Sequence, residues 1–153
     1  MKTYERFTAT DYYYEAALTR LSDLSHLRTN QGSIIFSIYC AGVSIECMLR
    51  AYITKYTREF DSKHDLLKLF EKSQLGSNLD IEDRKKMSVA INQANRIWSN
   101  NQRFESEKRI KRIIAHNNIK VGFKDVNKYI KKYNSEIFKA TDLIIKIGKS
   151  QWT

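Results

Sequence analysis

The chain contains no proline and only five glycines in 153 residues. Proline interrupts a helix by removing a donor and clashing with the preceding turn, and glycine weakens one through backbone entropy. A chain with so few breakers is expected to fold into long, uninterrupted helices. Apolar residues recur at helical spacing along most of its length, and no segment reads as a strand. The expected class is all-α: an up-and-down antiparallel bundle of four to five main helices with short helices between them.

Its length suits one domain with a substantial hydrophobic core. The net charge of +10 predicts attraction to polyanions, meaning nucleic acid or an acidic partner. Aromatic residues make up 12% of the chain, which argues against disorder. Cys40 and Cys47 lie seven residues apart in one helical stretch. That is about 10 Å of rise, too far for a disulfide. Core thiols in a reducing compartment are expected. The charged N-terminus has no apolar run behind it, so it does not resemble a signal peptide. The most apolar stretch, 34–53, contains Glu46 and Arg50 and is expected to be a buried helix, with no membrane partner. A cytoplasmic protein is the expectation.

Taken in order, residues 1–9 form a leader and 10–148 the bundle. Thr10 caps a first helix that runs to about Arg28, with Tyr14, Leu18, Leu21 and Leu24 inward. Residues 29–32 turn. The second helix, from Ser33 to about Tyr56, is apolar around much of its circumference and should be central. Its small residues Ala41, Gly42 and Ser44 allow close approach of a neighbour. Asp61 and Ser62 offer caps for a short helix from His64 to about Ser73. Residues 74–80 form a loop, Ile81 to about Trp98 the next helix, and 99–102 a break. The last helix, Lys124 to about Gly148, carries a four-three seam of Val126, Ile130, Tyr133, Ile137, Ala140, Ile144 and Ile147. Its other faces carry Lys124, Lys128, Lys131, Lys132, Lys139, Lys146 and Lys149. Such a face is commonly just solvated. Following another basic helix, it is where a phosphate backbone would lie.

That other helix spans 106–118, Ser-Glu-Lys-Arg-Ile-Lys-Arg-Ile-Ile-Ala-His-Asn-Asn. At about 100° per residue, Arg109, Arg112 and His116 fall within roughly 60° of one another. Ile110, Ile113 and Ile114 form the adjoining apolar stripe. Two guanidiniums beside an imidazole suit a phosphodiester and a proton transfer next to it. The same pattern also fits a solvated helix with a cation near its C-terminal end. Glu46 likewise has two readings: an i,i+4 pair with Arg50, or a carboxylate aimed at a basic site. His64 is expected to be structural. Trp98 is expected in the core or an interface rather than stacked on a base.

Several chemistries lack their signatures. There is no glycine-rich phosphate loop, no nucleophile elbow and no carboxylate cluster for a two-metal nuclease. No His/Cys spacing matches a metal site, so neither metal nor cofactor is expected. Helix-turn-helix binding stays conceivable, although the candidate turns single out no recognition helix. An Arg/His face is also chemically compatible with cleavage by the RNA 2′-hydroxyl. It requires a base for that hydroxyl, an acid for the leaving oxygen and positive charge on the phosphate.

Three segments together resemble the HEPN superfamily of small all-helical domains. Residues 41–52, Ala-Gly-Val-Ser-Ile-Glu-Cys-Met-Leu-Arg-Ala-Tyr, are similar to its second helix with an acidic residue. Residues 63–69, Lys-His-Asp-Leu-Leu-Lys-Leu, are similar to its His-Asp-Leu helix start, and Arg109 through His116 to its Arg-x(4–6)-His motif. The resemblance implies a bundle that dimerises and brings two Arg/His motifs to a shared cleft, and metal-independent RNA cleavage in the active members. Carried over, His116 would be the general acid/base, Arg109 the phosphate clamp and Glu46 the orienting carboxylate. Arg112, Lys111, Asn117 and Lys120 would contact RNA. A role as a toxin or phage-defence component, with an antitoxin or a nucleotidyltransferase as possible partner, is implied with it. The chain departs from the pattern at Ile110, where active members usually carry a polar residue. A non-catalytic module that binds nucleic acid or a partner protein is therefore the alternative.

Overall fold

A computed structural model describes residues 9–29, 33–57, 62–104, 106–117 and 123–153. Six α-helices appear there: α1 (Ala9–Thr29), α2 (Ile34–Tyr56), α3 (Leu66–Ser73), α4 (Ile81–Ile97), α5 (Glu107–Asn117) and α6 (Phe123–Gln151). A short 3-10 helix, Asn100–Phe104, joins α4 to α5. No strand occurs among the described residues. The expected leader residues 1–8, the turn residues 30–32 and the candidate cap Asp61 lie outside them.

The helix ends follow local hydrogen bonding. Ser33 caps α2 by accepting the Phe36 N–H, and Asp80 caps α4 by accepting the Asp83 N–H. Four boundaries differ from expectation. Thr10 lies inside α1, which already includes Ala9. His64 precedes α3, because Asp65 is the cap and its carboxylate accepts from the Leu67 and Lys68 N–H groups. The break at 99–102 is largely 3-10 helix. α6 passes through Gly148 and ends at Gln151. Gly148 is a packing position: a Cβ there would crowd the Met48 side chain, and its carbonyl accepts the buried Tyr52 hydroxyl at 2.7 Å.

α2 is the centre of the bundle. It packs against α1, α3 and α6, while α4 packs on α6 and α3. Ala41, Ile45, Met48, Leu49 and Tyr52 of α2 meet Leu24 of α1, Leu66 and Leu69 of α3, Met87 and Ile91 of α4, and Ile137 and Ile144 of α6 in one core. α2 is long and apolar enough to cross a membrane, but these residues are buried inside the bundle. α1 runs antiparallel to α2: Ser44 donates to the Ala17 carbonyl, and Tyr14 lies near Tyr52 through their shared neighbour Trp152. α6 runs parallel to α2, as contacts pair Ala41 with Thr141, Met48 with Gly148 and Lys55 with Thr153. The close approach expected at Gly42 is made by Trp98, whose buried ring would overlap a Cβ there.

Candidate functional site

The helix expected to carry the chemistry, α5, follows Ser106, whose hydroxyl accepts the Arg109 N–H at 3.2 Å. Glu107 in its first turn and His116 in its last both suit the helix dipole. α5 packs on α6. Arg109, Arg112 and His116 are all exposed, and none has a side-chain partner among the described residues. Glu107, Lys108, Lys111 and Arg112 line an adjacent groove of about 580 Å³. Lys111 lies 3.1 Å from Glu107 there. The groove thus gathers two of the expected RNA contacts, Lys111 and Arg112, and adds Lys108. Arg109 and His116 are not among its described lining residues. Lys120 and the side chains of Asn117, Ile110, Ile113 and Ile114 lie outside the described residues.

α6 continues the positive surface. Lys128, Lys131, Lys132, Lys139, Lys146 and Lys149 are exposed along its solvent side. At 1.5 Å per residue, Lys128 and Lys149 stand about 31 Å apart. Glu136 lies 3.7 Å from Lys132, and Asp142 sits among the lysines. From residue 106 onward the chain holds twelve Lys and Arg against four Asp and Glu, so most of the net positive charge sits in this third. α4 differs: there Lys86 lies 3.1 Å from Glu82 and 3.9 Å from Asp83.

Glu46 is placed elsewhere. It is 7% exposed on α2. Its Oε1 accepts from Arg50 Nε at 2.7 Å, and His64 Nδ1 lies 2.8 and 3.1 Å from its two oxygens. Arg50 is also buried and donates from Nη2 to the Lys63 carbonyl at 2.9 Å. Neither Arg109 nor Arg112 is a polar partner of Glu46. Among the described residues, the carboxylate expected to orient the Arg/His motif is occupied by Arg50 and His64 instead. The reason is physical. A carboxylate on the most buried helix needs compensation within that layer. Arg50 is one turn away, and the segment entering α3 brings His64. With a carboxylate at both distances, Nδ1 carries the proton and Nε2 points away. The cluster ties α2 to the start of α3.

The first two segments that carry the family resemblance thus meet in one ionic cluster, while the third lies on α5. Sequence reasoning missed His64 as the second partner of Glu46. The available signal was a helix with a single buried carboxylate–guanidinium pair followed by a His-Asp helix start.

Two other chemistries lose ground. Burial, and then the neighbouring Glu46 carboxylate, push the Cys47 thiol up to about 11; burial also raises Cys40. Neither is an activated thiolate at neutral pH. Trp98 is buried, and its indole N–H has no acceptor among the described residues, so its ring is not open to a base. Among the described residues, no three His, Cys, Asp or Glu side chains gather as metal ligands would.

Comparison with protein-family models, curated proteins and solved structures finds no match to this chain.

Proposed function

We propose that this chain is a HEPN-type, metal-independent endoribonuclease that acts as a dimer in the cytoplasm. One observation carries the reading: two guanidiniums and an imidazole stand exposed on α5, without side-chain partners among the described residues, and exposed lysines continue along α6. Unpaired cations at a surface are available to phosphates, and lysine and arginine contacts supply most sequence-independent affinity for nucleic acid.

In this reading the RNA 2′-hydroxyl attacks the adjacent phosphorus and the bond to the 5′-oxygen breaks. A 2′,3′-cyclic phosphate and a 5′-hydroxyl result. His116 Nε2 or Nδ1 takes the 2′ proton, and an imidazolium returns one to the leaving oxygen. His116 from each of two protomers fills the two roles. Arg109 holds the phosphate and Arg112 adds charge beside it, which matters most as negative charge builds on the crowded phosphorus. Glu46 has no part in this step. Service as a toxin or phage-defence component, with an antitoxin or nucleotidyltransferase as partner, is part of the same proposal.

The placement of Glu46 favours a second reading, in which the same surface binds RNA without cutting it. Incubation of the purified protein with mixed RNA in EDTA separates the two. The nuclease reading expects cleavage that His116→Ala and Arg109→Ala each abolish without unfolding the protein. Intact RNA with salt-sensitive binding would leave the second reading. Neither cleavage nor binding would remove both.

A further inference from the structure

The solvent side of α4 carries amides where α6 carries lysines. From residue 84 to residue 98 the charged side chains are Arg84, Lys85, Lys86 and Arg96, with no acidic residue. Met87, Ala90, Ile91 and Ala94 fill the core from one side of the helix. On the other side, at about 100° per residue, Ser88, Val89, Asn92, Gln93, Asn95 and Arg96 share an arc of about 160°. Together they line a groove of about 480 Å³, a volume typical of small-ligand pockets. Ser88, Asn92 and Arg96 are exposed in it, and Val89 is 58% exposed.

The lining holds one cation and no carboxylate, so its chemistry is that of hydrogen-bonding amides. Asn92 Nδ2 donates to the Ser88 carbonyl one turn earlier at 2.8 Å, so Oδ1 is the atom Asn92 offers. Gln93 and Asn95 each add a coplanar donor and acceptor. Such amides pair with base edges, as asparagine and glutamine do with adenine. Val89 supplies an apolar contact for the flat face of a ring.

The groove also joins the lysine surface. Glu136 of α6 lies 3.4 Å from Arg96 and 3.7 Å from Lys132. A strand whose phosphates follow the α6 lysines therefore passes beside the amides of α4. Phosphate contacts position a nucleic acid, and base contacts specify it. A groove suits bases that have left the stack, as single-stranded RNA presents them. A duplex keeps its base edges within grooves of its own, which a projecting helix must enter.

We propose that the α4 groove receives unstacked bases of a single RNA strand whose phosphates lie on α6, and that it favours bases with an exocyclic amine. The amine donates to Asn92 Oδ1. Uracil is disfavoured, because its one donor lies between two carbonyls that face the same oxygen. The proposal rests on the reading of α5 and α6 as an RNA surface, but not on cleavage.

The experiment is fluorescence anisotropy of the full chain with three labelled strands of one length: 2′-O-methyl oligoadenylate, 2′-O-methyl oligouridylate and an abasic phosphodiester. None has a free 2′-hydroxyl to attack its own backbone. Oligoadenylate should bind about 10-fold tighter than either of the others. Backbone flexibility alone would favour the pyrimidine strand, so this order reports base reading. Asn92→Ala with Gln93→Ala should lower oligoadenylate to the abasic level, with the abasic affinity and the thermal melt unchanged. Lys131→Glu with Lys132→Glu should weaken all three strands alike. Equal wild-type affinity for the three strands would overturn the proposal while the RNA surface stands, and would leave the α4 face to a protein partner. A preference for oligoadenylate that survives the Asn92/Gln93 double variant would also overturn it. Binding of none of the strands would remove the RNA reading itself, and this proposal with it.

Discussion

Two clusters in this molecule are built from the same side chains, and their settings give them opposite properties. On α2 and the approach to α3, Arg50 and His64 converge on Glu46, with the carboxylate and guanidinium buried. On α5, Arg109, Arg112 and His116 stand in solvent with no described carboxylate beside them. Burial makes the first cluster a matter of stability, since an ion taken out of water must be compensated where it sits. Exposure makes the second a matter of binding, since a cation without a partner is free for an incoming anion. The lesson is that an arginine or histidine motif acquires its meaning from what already occupies it.

The largest way to break this comparison is Glu46→Ala. It strands Arg50 in the interior and should cost about 3–5 kcal/mol of folding stability. For a chain of this size that lowers the melting temperature by roughly 6–20 °C. Arg109→Ala, by contrast, should stay within about 0.5 kcal/mol of wild type in the same melt. Replacing Glu46 and Arg50 together by Leu and Met should recover most of the loss, because nothing charged is then left buried. Equal effects of Glu46→Ala and Arg109→Ala would erase the distinction.

A middle-sized effect comes from the layer that holds the first cluster in place. Gly42→Ala forces Trp98 off α2 and should cost about 1–3 kcal/mol by overpacking. Urea titration measures it, and a neutral result would show that Trp98 does not seal the core. Cys47 reports on the same layer. With its thiol pushed up to about 11 mainly by burial, alkylation of the folded protein should be slow at neutral pH and accelerate as pH rises toward that value. Because the neutral thiol is the favoured folded form, its contribution to stability is present below the ordinary thiol range and fades as pH rises through the shifted one. Fast labelling of folded protein at neutral pH would contradict the burial.

The smallest expected effect lies on α6. Lys139→Glu with Lys146→Glu should leave the melt almost unchanged and weaken RNA binding. Each lost phosphate contact reduces the slope of log affinity against log salt by about 0.7–0.9. An unchanged slope would confine the polyanion surface to α5.

Much of the helical layout was legible from the sequence because apolar spacing records which side of a helix is buried. The seam from Val126 to Ile147 and the small residues of α2 are where that record predicted packing correctly. Three details escaped it. Gly148 resembles a helix stop, yet it serves a contact with Met48 and Tyr52 that only the third dimension reveals. Asp61, Ser62 and Asp65 are all competent caps, so the start of α3 could not be chosen from residue type alone. Glu46 showed its i+4 partner Arg50, but His64 stands 18 residues away and no helical period connects them. The Arg109–His116 face was legible as a stripe, whereas the groove at Lys108 depends on how α5 lies against its neighbours.

The central claim is that RNA meets the exposed face on α5 and not the paired cluster at Glu46. The chain has only three histidines, His26, His64 and His116. Their imidazole resonances can therefore be followed one by one by nuclear magnetic resonance as a short RNA is added to the intact protein in EDTA. The account predicts that the His116 signals shift in proportion to RNA bound while those of His64, held on Glu46, stay in place. Movement of His64 with His116 unchanged would contradict it.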